Sequence, residues 1–487
     1  FVALPSWAVI GDRVDGMQSS VHWPPMIAGR FARAWPAAAR REEPPVNDFD
    51  VLVIGTGVAG TTVASGCAAQ GLRVAVADRL PYGGTCRLRG CDPKKVLLAA
   101  SDAVSRAESL SGRGVDGRVH VAWPELVRRK RDFTAGVTEH TEAWLSGAGV
   151  ALLHGEARLV APDAVEVNDR RISATAIVVA SGAAPVHLGF AGQELVVPAH
   201  EFMDLDELPP RVVFIGGGYI SFEFAALARC AGAEVSILQR GARVLKEFDA
   251  ELSALLVERY RTLGVTIHLD APALEVRHER SGMMVRTPAV DVRADLVVHG
   301  AGRAADVERL DLDAAGVAWD GRGILVDGHM RSVSNPGVYA AGDAAAAGPP
   351  LTPAAGRQAN VVVKSILGRD AEYDARGFAS VVFSDPPLAR VGMSVEEAAD
   401  DDDLEVAAFD MSDWLTTRRL GHTHAAARIV REKGSGRILG AHLLGPNAEE
   451  VVNIFALAVR HGLTASTIAD TVWAYPTSGY DVSYMVG

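Results

Sequence analysis

Two of the chain's four cysteines flank four residues in Gly83-Gly84-Thr85-Cys86-Arg87-Leu88-Arg89-Gly90-Cys91-Asp92-Pro93-Lys94-Lys95. That spacing suits a redox-active disulfide beside a bound cofactor. The nucleophile in such chemistry is a thiolate, and a helix N-terminus with nearby cations lowers a thiol's pKa. Arg87, Arg89, Lys94 and Lys95 supply the cations. The same pair also fits two buried apolar cysteines or a fragment of a metal site. No second cysteine pair or nearby histidine set completes four metal ligands, so no metal site is expected. The choice turns on whether the chain also holds a cofactor.

The elements around the pair supply one. Asp50-Val51-Leu52-Val53-Ile54 is an apolar run that reads as a buried parallel strand. Gly55-Thr56-Gly57-Val58-Ala59-Gly60 follows, then a small-residue helix to about Gln70 and a strand over 73–77 ending at Asp78. In a dinucleotide-binding unit, Gly55 allows the tight turn, Gly57 lets backbone approach a pyrophosphate, and Gly60 lets helix and strand pack closely. The helix N-terminus faces the phosphates, and Asp78 stands where a carboxylate accepts from a ribose. After the cysteines, helical spacing predicts helices over 95–108 and 123–145, then short strands over 151–179.

A second copy begins after Leu208-Pro209-Pro210. It comprises the strand 211–215, the turn Gly216-Gly217-Gly218-Tyr219-Ile220-Ser221, the helix 222–230 and the strand 234–238. Ser221 replaces the third glycine and is small enough to keep the packing. The position equivalent to Asp78 is Gln239, followed by Arg240 and Arg243. A carboxylate there would repel a 2′-phosphate, whereas arginines pair with one, so the unit favours NADPH over NADH. Cys67 and Cys230, on the helices after the two turns, read as core residues. Leu296-Val297-Val298-His299-Gly300-Ala301-Gly302-Arg303 and Val338-Tyr339-Ala340-Ala341-Gly342-Asp343 each end a strand at a turn. From Phe378 the pattern becomes alternating strands followed by a helix over 448–461.

The 487 residues suit about two to four domains. A net charge of −12 leaves no basic excess to neutralise phosphates and argues against nucleic acid. No uncharged run of about 18 strongly apolar residues suggests a membrane span. So few cysteines do not form a disulfide scaffold, and a reducing, cytoplasmic setting is expected. Residues 1–47 lack regular periodicity and read as a poorly ordered extension.

Together, GTGVAG, GGTCRLRGCDPKK, VASGAAP, GGGYISFEFA, GAGR, VYAAGDAA and LTPAAGRQAN resemble the pyridine nucleotide–disulfide oxidoreductases, the class of glutathione reductase and dihydrolipoamide dehydrogenase. The resemblance spans about residues 48–487. It implies an α/β fold with two Rossmann-like dinucleotide-binding domains and a C-terminal α+β dimerisation domain. An FAD domain is expected over 48–190 and 304–372, an NAD(P) domain over 191–303 and the dimerisation domain over 373–487, in a homodimer. FAD is expected on Gly55, Gly57, Gly60, Asp78, Gly84, Thr85, Ser181, Gly182, Gly342 and Asp343. The nicotinamide nucleotide is expected on Gly216, Gly218, Tyr219, Gln239, Arg240, Arg243, Gly302 and Arg303. Lys95 matches the lysine near the flavin, Glu223 its partner, and Tyr219 the aromatic gate. The implied relay runs from nicotinamide through FAD to a Cys86–Cys91 disulfide, with Cys91 as flavin-proximal thiolate and Cys86 as the thiol that attacks a substrate.

One segment departs from the family pattern. Where the family carries His-Pro-Thr-x-x-Glu, with the histidine as acid/base, this chain has Tyr475-Pro476-Thr477-Ser478-Gly479-Tyr480. An unperturbed tyrosine, with a pKa of about 10, is a poor base. The first reading is therefore a disulfide reductase with an unusual acid/base. Alternatives are a reductase of quinones or metal ions, whose chemistry needs no histidine, and a redox sensor with little turnover. The electron acceptor is a small molecule in the first two.

Overall fold

The computed structural model describes residues 47–487. The extension expected over 1–47 lies, but for Asn47, outside them. The first sheet is built around β1 (Phe49–Ile54), which runs parallel to β2 (Val74–Asp78) on one side and to the strand Arg170–Val179 on the other. Residues 51–54 of β1, 74–77 of β2 and 176–179 of the third strand are apolar and almost fully buried, as strands covered on both faces must be. Val338–Ala340, nearly 160 residues further along, adds in parallel to Arg170–Val179. The first sheet is thus completed by a segment distant in sequence. Between β1 and β2 lies α1 (Val58–Ala68), which packs against the helix Thr352–Ile366.

The second unit repeats the pattern. Arg211–Ile215 pairs in parallel with Glu234–Leu238 and Leu296–His299, and the helix Tyr219–Cys230 crosses between the first two. Ser221 fits because Gly300 opposite has no side chain; a methyl there would overlap the serine hydroxyl. The C-terminal part is a five-stranded antiparallel sheet from Ser380–Val382 to Leu404–Asp410. Against it the helix Ala448–His461 buries Val451, Val452, Phe455 and Ala458 on one stripe. The fold is mixed α/β with two parallel sheets, each carrying a glycine turn at its centre.

Two helices differ from the periodicity reading. The helix expected over 95–108 is α3 (Cys91–Ser109), which starts at the second cysteine; α2 (Gly84–Arg89) carries the first. The helix expected over 123–145 is two helices, Trp123–Thr134 and Val137–Gly147. Ala135 is extended and Gly136 takes φ +76°, a left-handed conformation that ends the first helix.

Candidate active site

The two glycine turns are held by the same device. Thr56 N donates to Asp78 Oδ2 at 2.8 Å and the Thr56 hydroxyl to the same oxygen at 2.6 Å, while Leu80 N donates to Oδ1 at 2.9 Å. A carboxylate offers about four acceptor positions, so one remains for a ribose hydroxyl. In the second turn Gly217 N donates to Gln239 Oε1 at 3.0 Å, and Gln239 Nε2 donates to the Arg243 carbonyl at 2.8 Å. Gln239 is buried and occupied inside the turn, not presented to a ligand.

The glycines do what their motif requires. A Cβ at Gly55 would overlap the Ala180 carbonyl, and one at Gly60 would overlap the carbonyl of Gly55. Gly57 faces open space, and no side chain caps the helix N-terminus that it begins. Gly218 likewise heads an uncapped helix, and a Cβ at Gly216 would overlap Ala301. Gly84, at φ +72°, lies against the Gly57 backbone where any Cβ would collide. The cysteine segment is thereby pressed onto the first turn. Around the same groove, Ser181 has a buried hydroxyl without a partner, and Asp343 makes no hydrogen bond within the described residues. Burial raises the Asp343 carboxyl above its usual range, with Arg303 opposing. Gly182, Gly302 and Gly342 all take positive φ. Gly342 N donates to Gln358 at 2.7 Å, and the Arg303 guanidinium donates to the Ala183 carbonyl. Thr85 is exposed beside Cys86. Uncapped N–H groups, an orphaned hydroxyl and an unpartnered carboxyl fit a dinucleotide bearing phosphates and hydroxyls.

Both sulfurs meet one hydroxyl from a distant helix. Thr352 Oγ1 lies 3.3 Å from Cys86 Sγ and 3.7 Å from Cys91 Sγ. Both cysteines are free thiols here. Their environments push them apart. The hydrogen bond between them holds Cys91 down at about 6, against burial, with Thr352 and the Lys94 charge helping. The same bond, together with burial, drives Cys86 upward. These contacts favour the negative charge on Cys91 over Cys86. Cys67, by contrast, is pushed up to about 12 by burial alone, and Cys230 to about 11. Both are inert packing residues.

Glu223 is 1 % exposed, yet it is charged. Burial favours its neutral form, but Lys94 and Lys95 outweigh it and hold the carboxyl below its usual range. Lys94 Nζ is 2.6 Å from Oε2, and Lys95 Nζ is 3.1 Å from Oε1. Oε1 also accepts Phe383 N at 2.9 Å. Lys95 is therefore not the sole partner of Glu223. Lys94 is the more buried of the two, its ammonium lies 4.7 Å over the Tyr219 ring, and its charge is felt at Cys91. Lys95 instead covers the Phe383 ring at 3.3 Å, and burial pulls it down to about 8 despite Glu223. The sequence reading counted Lys94 among the cations near the cysteines but gave Glu223 to Lys95 alone. The signal for Lys94 was local, since residues 91 and 94 lie one helical turn apart on α3.

Three expected residues are placed differently from the rest. Arg243 is engaged by Glu396 at 3.1 Å and by the Phe248 carbonyl, so it is not free for a phosphate. Arg240 is exposed and has no acid within ion-pair distance among the described residues. Tyr475 is 68 % exposed, packs edge-on against Tyr480 at 4.9 Å, and makes no hydrogen bond to either cysteine among the described residues. A cavity of about 340 Å³ beside it is lined by Trp414, Tyr480, Tyr484 and the buried Asp481.

With that geometry in hand, similarity to known proteins is decisive. The family model described as pyridine nucleotide-disulphide oxidoreductase matches residues 49–359, and the dimerisation domain of the same family matches residues 378–484. The chain belongs to this family. A glutathione reductase of Burkholderia cepacia is 32 % identical over 437 residues, covering 88 % of this chain and 96 % of that relative. A dihydrolipoyl dehydrogenase of Bacillus subtilis is 31 % identical over 450 residues, covering 89 % and 96 %. Among solved structures, the HOCl-induced flavoprotein disulfide reductase RclA from Escherichia coli superposes with a TM-score of 0.80 at 24 % identity, over 90 % of this chain and 99 % of that one. This last likeness concerns the fold. The protein is a flavoprotein disulfide oxidoreductase of the glutathione reductase and lipoamide dehydrogenase type, dependent on FAD and a pyridine nucleotide. No helix among the described residues is long and apolar enough to cross a membrane.

Proposed function

We propose that the protein is an NADPH-preferring reductase of a small disulfide, working through Cys86 and Cys91. The observation that carries this reading is the geometry of the pair: one Thr352 hydroxyl lies 3.3 Å from Cys86 Sγ and 3.7 Å from Cys91 Sγ, with Lys94 one helical turn after Cys91 on α3. In this reading FAD rests on Gly55, Gly57, Gly60, Asp78, Gly84, Thr85, Ser181, Gly182, Gly342 and Asp343. FAD held there would supply the two-electron link between the nicotinamide and the cysteine disulfide. The chain's own residues do the rest. Lys94, fixed by Glu223, supplies a positive charge beside the cysteine that becomes the thiolate. Tyr219, exposed over Lys94, stands as a movable cover to the nucleotide side. Cys86, kept protonated, is the sulfur that attacks the substrate disulfide.

The preference for NADPH rests on Arg240, with exposed Lys246 as a second cation that has no ion pair among the described residues, and not on Arg243. We also assign residues 48–190 and 304–372 to the FAD domain, 191–303 to the nucleotide domain and 373–487 to the homodimer contact. The 98 % exposed Val472, with Leu457 and Tyr484, supports a contact between two copies on the last of these.

A second reading, reduction of quinones or metal ions, is favoured by Tyr475, which offers no base where the family has a histidine. The test is to reduce the FAD-loaded enzyme anaerobically with NADPH or NADH. Oxidised glutathione, a benzoquinone or Cu(II) is then mixed in and reoxidation is timed. The proposal expects faster reduction by NADPH and return of the oxidised spectrum with the disulfide. Return with quinone or Cu(II) alone selects the second reading.

A further inference from the structure

The cysteine segment holds one acid, and the path from nucleotide to disulfide does not use it. Asp92 sits in the first turn of α3, directly after Cys91. Its Oδ1 lies 3.8 Å from Cys86 Sγ, with the thiol as donor. Asp92 is partly buried, and burial raises its carboxyl above the usual range while Arg87 pulls it down. A carboxyl lifted toward neutrality and touching a thiol can take up and return a proton. The groups facing Asp92 are Arg87 on α2, the Cys86 thiol, and Cys91, whose thiolate is disfavoured by the Asp92 charge.

We propose that Asp92 is the catalytic acid and base for Cys86 in the oxidative half-reaction, an assignment that rests on the disulfide reading above. The Cys86 thiol gives its proton to the Asp92 carboxylate as its sulfur attacks a substrate disulfide, RS–SR′. A Cys86–SR bond forms and the S–S bond breaks. The leaving R′S⁻ takes the proton back from Asp92 and departs as R′SH. The Cys91 thiolate then attacks Cys86 Sγ, re-forms the Cys86–Cys91 disulfide and expels RS⁻. Two electrons pass from the cysteine pair to the substrate, and Asp92 ends as it began, a carboxylate.

The mechanism makes a prediction about leaving groups. An alkyl thiolate leaves poorly without a proton, whereas the aryl thiolate of 5,5′-dithiobis(2-nitrobenzoate) leaves without one. The experiment compares wild type, Asp92→Asn and Asp92→Glu as FAD-loaded enzymes, reduced anaerobically with NADPH and then mixed with oxidised glutathione or the aryl disulfide. Asp92→Asn is expected to slow reoxidation by oxidised glutathione about 100-fold. The aryl disulfide should lose less than about tenfold, and Asp92→Glu should recover much of the alkyl rate. The acid-side fall of the alkyl rate, present in wild type, should vanish in Asp92→Asn. A parallel measurement uses a Cys91→Ser background and follows iodoacetamide alkylation of Cys86 against pH. There Asp92→Asn should move the midpoint to lower pH, because a neighbouring negative charge is gone, even as disulfide turnover falls. A role confined to folding would slow both disulfides alike and leave that midpoint in place, and this result overturns the proposal. So does an alkyl rate within threefold of wild type. Wild-type enzyme that neither disulfide reoxidises overturns the disulfide reading itself, and Asp92's catalytic role with it.

Discussion

Replacing Glu223 with glutamine removes one charge from the most completely buried ion cluster at the site. The amide keeps an acceptor for Phe383 N, so the change isolates the charge. Lys94, 8 % exposed, and Lys95 then lose the carboxylate they share. Removing one partner of a buried pair costs about 3–5 kcal/mol, because the remaining charge stays desolvated. In a domain of this size that lowers the unfolding midpoint by on the order of 10 °C. The pH dependence has a definite sign. The folded carboxyl titrates below its ordinary value of 4.5, so its contribution is fully present above that value. The contribution is lost as pH falls through the folded pKa. The gap between wild type and Glu223→Gln should therefore be widest near pH 7 and narrow below pH 4.5. Adding Lys94→Met to Glu223→Gln should restore part of the loss, because an unpaired cation is removed with the charge that held it. Thermal unfolding of the three proteins at pH 7 and pH 4 checks this. A loss below about 1 kcal/mol at pH 7, or one equal at both pH values, would refute the argument that a buried charge cluster is maintained here.

Two further outcomes follow from the same geometry. In the reduced enzyme, alkylation of Cys91 should titrate with a midpoint near 6, and Cys86→Ala should move it upward by removing the largest stabilising contact; mass spectrometry of the alkylated peptide reads both, and a wild-type midpoint near 9 would count against the thiolate assignment. Arg240→Leu should raise the KM for NADPH about 10-fold or more, as expected for loss of a charge-assisted contact to a phosphate, with little change for NADH; equal effects on both nucleotides would remove Arg240 from the specificity argument.

What could be read directly from the chain was what depends on neighbours in sequence. The glycine turns are legible because a tight turn, a phosphate approach and a close helix contact each need glycine at a set offset from a strand. Gly55, Gly60 and Gly84 prove to be positions where a Cβ would strike backbone. The cysteine pair is legible because it is contiguous, and both nucleotide units and the shift to an antiparallel C-terminal sheet follow from periodicity. The break at Gly136 was written in the sequence too, but an isolated glycine inside a helical pattern does not by itself say whether the helix ends.

The tertiary structure decided how the charges are shared. Thr352 reaches both sulfurs from a helix more than 260 residues away. Glu223 meets two lysines from a different helix, so its charge is divided between Lys94 and Lys95 rather than given to one. Arg243 is taken up by Glu396 and Gln239 by its own turn, whereas Arg240 has no ion partner among the described residues. Sequence specifies the residue types and their local conformation. Coulomb energy and desolvation depend on distances and burial across the fold, and only packing sets those. That is why contacts and burial that push the Cys86 and Cys91 thiols in opposite directions exist only in the folded chain.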